Sequence, residues 1–286
     1  LTRKAYAETL HGATGDPALD PAAAVEVLNP LSQDLGALRS SLLIQGLENI
    51  ARNRNVQRKD MRLFELGRTY ARRDEGFEET EWLVLWMVGR KAPERWNTGK
   101  DEVDFFAVRA EVEAVFDALG VHGELKLGRS SAGLLVGGVE WTLRDEVVAR
   151  AGAVHPEALR MADVDAPVFA AEVRLEPVMR AAAGKRLRVE ELPKFPAVRR
   201  DLAFILDEHV AFSDLERIAR ATERKLLRDI QLFDVYQGDR LPAGKLSYAL
   251  SLKLQDPGKT LTDKQIDKTV ERIREAIERE TGAQLR

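Results

Sequence analysis

LSYALSLKL, Leu246 to Leu254, alternates without a break: Leu246, Tyr248, Leu250, Leu252 and Leu254 fall on one side of an extended chain, and Ser247, Ala249, Ser251 and Lys253 on the other. One side suits a core and the other is small and polar, so the stretch reads as a strand in a sheet covered on a single face. Ile230 to Tyr236 reads as the preceding strand, joined to it by the loop Gln237 to Gly244, and Val198 to Leu206 as another strand further upstream. Ser213 and Glu216 have the spacing of a capping box and predict a helix carrying Leu215, Ile218 and Ala219. Thr262 and Gln265 repeat that spacing ahead of Ile266, Val270, Ile273 and Ile277, a helix that ends near Gly282 and is followed by a last short strand, Ala283 to Arg286. The order βαββαβ is the ferredoxin-like split βαβ unit, a four-stranded sheet with both helices on one face and the other face bare.

The loop between the two central strands sets a register. A symmetric hairpin puts Tyr236 opposite Lys245 and Asp234 opposite Ser247, so Asp234, Tyr236 and Ser247 share the bare face. A ring that stacks, a carboxylate that accepts N–H donors and a hydroxyl that does both are what an unstacked base requires, and a guanine suits Asp234. The same residues also fit a plain strand end, with Tyr236 shielding an edge and Asp234 starting a turn; both readings stand. Arg217, Arg220, Arg224, Lys225 and Arg228 can reach phosphates but read more simply as a solvated face, and Lys194, Arg199 and Arg200 are open to the same two readings, with Asp201 placed to pair one of them locally. Lys264, Asp267, Lys268, Glu271, Arg272 and Glu275 have the spacing of surface helix pairs.

The longer N-terminal part is less regular. Residues 1 to 24 read as a loop, and a helix restarts near Leu38 and runs through Leu42, Leu43, Leu47 and Ile50. Met61 to Tyr70 and Trp82 to Val88 read as strands paired in a long hairpin. Asp104 to Leu119 carries Phe105, Val108, Val112, Val115, Phe116 and Leu119 on one helical face and stops at Gly120; short strands follow between Leu134 and Leu175. Small residues, charges and prolines from Ala181 to Pro196 mark a boundary, giving domains 1–185 and 191–286. Arg39 and His155-Pro156 are further polar features of the first domain, the latter read as a turn, and Glu65 with Arg68 reads as a strand-end ion pair. No P-loop, G-x-G-x-x-G or G-x-S-x-G occurs, and no active site is legible.

Composition narrows the function classes. The 286 residues carry 44 Lys plus Arg against 47 Asp plus Glu, a formal charge of -3, so any nucleic-acid site is local rather than a polybasic surface. Residues 191–286 hold 18 basic and 17 acidic residues, close to balance. The absence of cysteine removes disulfides, thiolate zinc sites and Cys nucleophiles, and four histidines without ligand spacing give no metal site. No stretch reaches the ~20 apolar residues of a membrane helix and no secretory signal opens the chain, which reads as cytoplasmic with no membrane partner. It begins at Leu1 rather than Met, an opening that fits a processed product or a piece of something longer.

Taken together in order and spacing, Leu28 to Leu47, Leu63 to Tyr70, Val103 to Gly120, Ala151 to Leu159, Lys194 to Phe204, Leu232 to Gly238 and Thr260 to Ile266 resemble the C-terminal part of the bacterial phenylalanine–tRNA ligase beta subunits. The resemblance covers about residues 20 to 286 and implies an α+β fold. Up to residue 185 it implies a class II synthetase-like antiparallel sheet with flanking helices, a catalytic-like module without chemistry. Arg72 and Glu75 do not keep the second class II signature, and the glycine-rich third signature is missing. Residues 191–286 would be the ferredoxin-fold anticodon-binding domain. Carried over by position, Tyr236 would stack on the first anticodon base, Asp234 and Ser247 would help read it, and Arg286, exposed to fraying at the chain end, would approach neighbouring bases. The implied partners are tRNA(Phe) and the catalytic alpha subunit in an (αβ)2 heterotetramer. ATP and Mg2+ would serve the complex, with no cofactor, metal or catalytic residue on this chain, which alone would be inactive. The alternative is a structural subunit-interaction module that never touches RNA.

Overall fold

Among the described residues, ten strands form two sheets, each within one of two compact units, Leu1–Leu187 and Arg188–Arg286. The computed structural model describes residues 4–30, 35–130, 133–185, 193–238 and 241–286; residues 186–192, where the sequence sets the domain boundary, lie outside them.

The first unit contains α1 (Lys4–Thr14), α2 (Leu43–Asn55), β1 (Met61–Arg73), β2 (Gly76–Val88), α3 (Phe105–Ala118), β3 (Lys126–Ser130), β4 (Leu135–Leu143), β5 (Glu146–Val154), α4 (Pro156–Met161), β6 (Val168–Arg174) and α5 (Leu175–Ala182). Its strands lie in the order β1-β2-β6-β5-β4-β3, every neighbouring pair antiparallel. The expected long hairpin is β1–β2, each strand 13 residues, turning at Asp74-Glu75 into Gly76 at φ 127°, a conformation that favours glycine. Apolar side chains leave both faces of the sheet. Val84, Trp86, Val88 and Ala170 pack with Leu43, Leu47 and Ile50 of α2 on one side, while Ala171, Val173 and Trp141 meet Val108, Val112 and Phe116 of α3 on the other. Phe116 meets Trp141 edge-to-face at 5.8 Å. The indole of Trp86 lies so close to α2 that a Cβ on Gly46 would come within 2.0 Å of it. Asp104 caps α3 by accepting from Ala107 N–H at 2.9 Å, and its hydrogen bond from Lys91 Nζ holds its carboxyl below the usual carboxylate range.

Three N-terminal expectations are corrected. Residues 4–14 form a helix rather than a loop, because Leu10 seals a core that also holds Leu19. Helix α2 begins at Leu43, not Leu38: Leu38 N–H donates to Val25 O at 2.8 Å and Arg39 O accepts from Tyr70 N–H at 2.9 Å, so those residues are extended. Glu65 does not pair with Arg68, since an odd spacing along β1 sends them to opposite faces. Glu65 binds Arg39 at 2.6 Å, and Arg68 binds Glu81 at 2.7 Å. His155 does head a turn, its Nδ1 accepting from Glu157 N–H ahead of α4.

The second unit runs β7 (Val198–Asp207), α6 (Phe212–Thr222), β8 (Leu227–Tyr236), β9 (Lys245–Leu254), α7 (Asp263–Thr281), β10 (Gln284–Leu285), with sheet order β10-β7-β9-β8. This is the ferredoxin-like βαββαβ order. Phe204, Leu206, Leu250, Leu252 and Leu254 pack with Leu215, Ile218, Ile266, Ile273 and Ile277, so both helices lie on one face. Thr262 and Gln265 form the expected capping box, and Gly282 closes α7 at φ 68°. The box at Ser213 and Glu216 does not form. Ala211 is the N-cap of α6, which puts Ser213 inside the first turn and frees Glu216 to accept from Arg220 at 2.8 Å.

Candidate nucleic-acid interface

The sheet of the second unit has one face without helices, and its ladders fix what that face carries. Tyr236 stands opposite Ser247, and Asp234 opposite Ala249. The symmetric register, Tyr236 with Lys245, is therefore corrected by two residues. Lys245 instead pairs with Asp207 of β7, and Gly244 O accepts from Glu208 N–H, so β9 begins against β7 before it meets β8. An even slip keeps every side chain on its face, and Asp234, Tyr236 and Ser247 remain together.

Simple alternation along β8 would not have put them there. Ile230 and Leu232 point into the core opposite Leu252 and Leu250, and Asp234 and Tyr236 share their parity. The ladder is interrupted between Leu232 and Asp234, where Phe233 is the extra residue of a β-bulge, and beyond it even-numbered residues face outward. Phe233 is half exposed, with the Arg199 guanidinium over its ring at 5.9 Å. Arg199 also reaches Ser251 Oγ and lies 3.4 Å from Asp201, the local pairing the sequence allows.

Two rows cross the face. Tyr236, Ser247, Ile205 and Gln284 form one, and Asp234, Ala249 and Ala203 a second that leads to Arg286, whose N–H donates to Ala203 O at 2.8 Å. The final residue is thus held by its backbone at the sheet edge. About 14 Å, three strand spacings, separates Asp234 from Arg286, with two alanines as the floor between a carboxylate and a guanidinium. Asp234 is exposed and has no hydrogen bond or ion pair to another described residue. Ser247 is only 4% exposed, enclosed between its larger row neighbours Tyr236 and Ile205. The Tyr236 hydroxyl folds back over the hairpin, so that a Cβ on Gly238 would lie 2.8 Å from it. Arg217 and Arg220, by contrast, belong to α6 on the covered side, where Arg220 pairs with Glu216 and Arg217 approaches Asp214 and Glu280. The alanine floor and Phe233 were not legible as site residues, and Arg199 was legible only as an ambiguous cation; the dipeptide Phe233-Asp234, two unlike residues where alternation should continue, is the trace of the bulge.

The first unit has a cleft of about 320 Å3 over the end of its sheet between β1, β2, β5 and β6. Its polar wall does not fit a triphosphate with its metal ion. Arg73 is tied to Glu78 and Arg174 to Glu146, which leaves Arg150 as the cation of the lining without a hydrogen-bonded carboxylate.

Models of known families divide the chain in the same place as its fold. The phenylalanyl tRNA synthetase beta chain CLM domain matches residues 1–175, and the ferredoxin-fold anticodon binding domain matches residues 193–286. A ferredoxin-like unit and a larger antiparallel unit in one chain, each matched by such a model, thus set the chain among aminoacyl-tRNA synthetase components. Phenylalanine–tRNA ligase beta subunits are similar over nearly all of it: that of Porphyromonas gingivalis is 37% identical over 92% of this chain and 34% of its own length. That of Bacteroides fragilis is 38% identical over 92% and 33%. The chain belongs to the phenylalanine–tRNA ligase beta subunit family, and it spans about a third of the length of these relatives. A solved pyrrolysyl-tRNA synthetase from Desulfitobacterium hafniense is 18% identical with a TM-score of 0.43 over 57% of this chain and 54% of its own. Among the described residues no helix is long and apolar enough to cross a membrane.

Proposed function

We propose that this chain, with domains 1–185 and 191–286, binds the anticodon stem-loop of tRNA(Phe) through Tyr236, Asp234, Ser247 and Arg286. It does so while supporting the catalytic alpha subunit of an (αβ)2 ligase. The observation that carries the RNA reading is the bare sheet face of an anticodon-binding-type domain, on which an exposed carboxylate and a tyrosine stand at one end of an alanine floor. Tyr236 supplies a stacking surface, Asp234 accepts the N–H groups of a guanine edge, and Arg286 neutralises backbone phosphate or contacts the next base. ATP and Mg2+ act in the alpha subunit, and this chain positions rather than reacts.

The support for scaffolding is separate. Phe64 and Leu66 on the edge strand β1 are 70% and 62% exposed on one face, and Phe77 of β2 joins them there. The Arg68–Glu81 pair separates Phe77 from Phe64 and Leu66, and an exposed apolar pair on an edge strand is characteristic of a protein-binding surface. Phe64→Glu with Leu66→Glu is expected to abolish co-purification with the alpha subunit while leaving stem-loop binding unchanged.

Tyr236→Ala tests the RNA reading: loss of base stacking, roughly 1–3 kcal/mol, weakens stem-loop binding about 5- to 150-fold. An unchanged affinity in a folded variant would leave only the structural, RNA-free role. The chain alone is expected to give no phenylalanine-dependent ATP–pyrophosphate exchange.

A further inference from the structure

The cleft in the first unit contains a charge arrangement that the RNA and scaffolding roles do not use. Arg150 of β5 and Glu172 of β6 stand directly opposite each other in the ladder and both line the cleft, yet no ion pair closes between them. Arg150 Nε is one of two buried side-chain polar atoms without a hydrogen-bond partner among the described residues; Glu140 Oε2 lies 3.5 Å away, an ion pair without a hydrogen bond. Glu172 has a single weak contact, Ser41 Oγ at 3.5 Å. Opposite charges on adjacent strands normally satisfy each other, so a pair left open in a cleft has room for a group between them.

The surroundings bound the size and character of that group. Trp82, its Nε1–H donated to Thr69 Oγ1 at 2.9 Å, supplies an apolar wall with Val147, and Pro17 and Ala18 also line the cleft. About 320 Å3 is at the lower end of small-ligand sites and suits a molecule of amino-acid size. We infer that the cleft is a binding site for a free α-amino acid with a compact apolar side chain, its carboxylate on Arg150, its ammonium on Glu172 and its side chain against Trp82. The two charged groups of an α-amino acid sit one carbon apart, which matches two opposed side chains on neighbouring strands. An anion alone would leave Glu172 unused, and a cation alone would leave Arg150 unused.

The pH response separates these cases. Burial, then the neighbouring Asp16, raises the Glu172 carboxyl to about 7 against the opposing pull of Arg150 and Ser41. Asp16 is itself held by Leu134 N–H and Ala18 N–H, Arg174 on the same strand is engaged by Glu146, and Glu65 in the same row by Arg39. An ammonium favours ionised Glu172, so amino-acid binding strengthens as pH rises through 7 and takes a proton off Glu172 below it. A plain carboxylate shows the reverse trend.

Calorimetric titration of the chain with L-leucine, 4-methylpentanoate and 3-methylbutylamine at pH 6 and pH 8 is the test. Leucine is expected to bind, about tenfold more tightly at pH 8 than at pH 6 with proton release at pH 6, and at least tenfold more tightly than either single-charge analogue at pH 8. Arg150→Gln and Glu172→Gln, confirmed folded by circular dichroism, are each expected to weaken leucine at least tenfold. No detectable leucine binding, equal binding of leucine and 4-methylpentanoate, or retention of affinity in both variants would overturn the assignment. The pH trend and proton release need no variant, and stem-loop binding is a separate measurement that none of these outcomes alters.

Discussion

Each sheet of this chain has a row of residues with charge in it, and the two rows handle that charge in opposite ways. Across the second sheet, Asp234 and Arg286 stand at the ends of an exposed row with alanines between them. Across the first, Glu140, Arg150, Glu172, Val84 and Glu65 follow one another strand by strand, with Val84 fully buried among them. Burial raises the Glu172 carboxyl, whereas the alanines keep the ends of the other row apart and accessible. A face that meets a large ligand from outside needs separated groups and a flat floor; a cleft that takes a small one needs opposed groups at close range.

The comparison breaks first if the faces of one strand are not distinct. Leu250 and Ala249 are neighbours on β9, the first wholly buried against the helices and the second on the bare face. Leu250→Ala is expected to cost the second unit about 3 kcal/mol in urea unfolding, and Ala249→Ser less than about 0.5 kcal/mol. Similar costs at the two positions would mean that the face is not free.

Glu172→Gln sharpens the other side. A carboxyl raised from 4.5 to about 7 in the folded chain binds its proton more tightly folded than unfolded. Stability is therefore unaffected below pH 4.5, falls as pH rises to 7 and stays lowered above it. The glutamine variant is expected to unfold about 2 kcal/mol later than the parent at pH 8 and level with it at pH 4, in parallel urea melts. A gain at pH 4 would assign the effect to packing instead of charge.

A third variant tests the floor. Ala249→Leu inserts bulk beside Asp234, between it and Arg286, while leaving both charged groups in place, and should weaken stem-loop binding about tenfold, roughly 1.4 kcal/mol, with little change in stability. Unchanged binding would separate the two ends of the row into unrelated features.

Much of this arrangement follows from pattern. Alternation from Leu246 to Leu254, the Thr262 box and the glycine stops at Gly120 and Gly282 are local devices, and the structure uses all of them. What pattern does not reveal depends on partners distant in sequence. Leu38 looks helical by spacing but is recruited by Val25, and Ser213 has the right neighbour at three residues but the wrong helix start. Asp234 and Tyr236 were placed on the bare face through their pairing with β9; periodicity along β8 alone would have buried them, because a bulge at Phe233 leaves no period of its own. Arg150 and Glu172 carry no motif at all. They are 22 positions apart, and only the β5–β6 ladder makes them neighbours.

Arg286 gives the smallest effect and separates two kinds of contact. Its N–H is bonded to Ala203 O, so Arg286→Ala keeps the sheet edge and removes only the guanidinium. Stacking by Tyr236 is insensitive to salt, whereas a cation against a single-stranded phosphate releases about 0.7 counterion. In stem-loop titrations from 50 to 300 mM salt, Arg286→Ala should lower affinity about threefold at the low end and reduce the slope of log K against log salt by about 0.7. Tyr236→Ala should lower affinity more at every salt concentration and leave the slope alone. If Arg286→Ala leaves both affinity and slope unchanged, the row ends in function at Ala203, and the terminal residue serves the fold through its backbone only. If it lowers affinity without changing the slope, the guanidinium meets a base and not a phosphate, which extends the reading of sequence three strands across the sheet from Asp234.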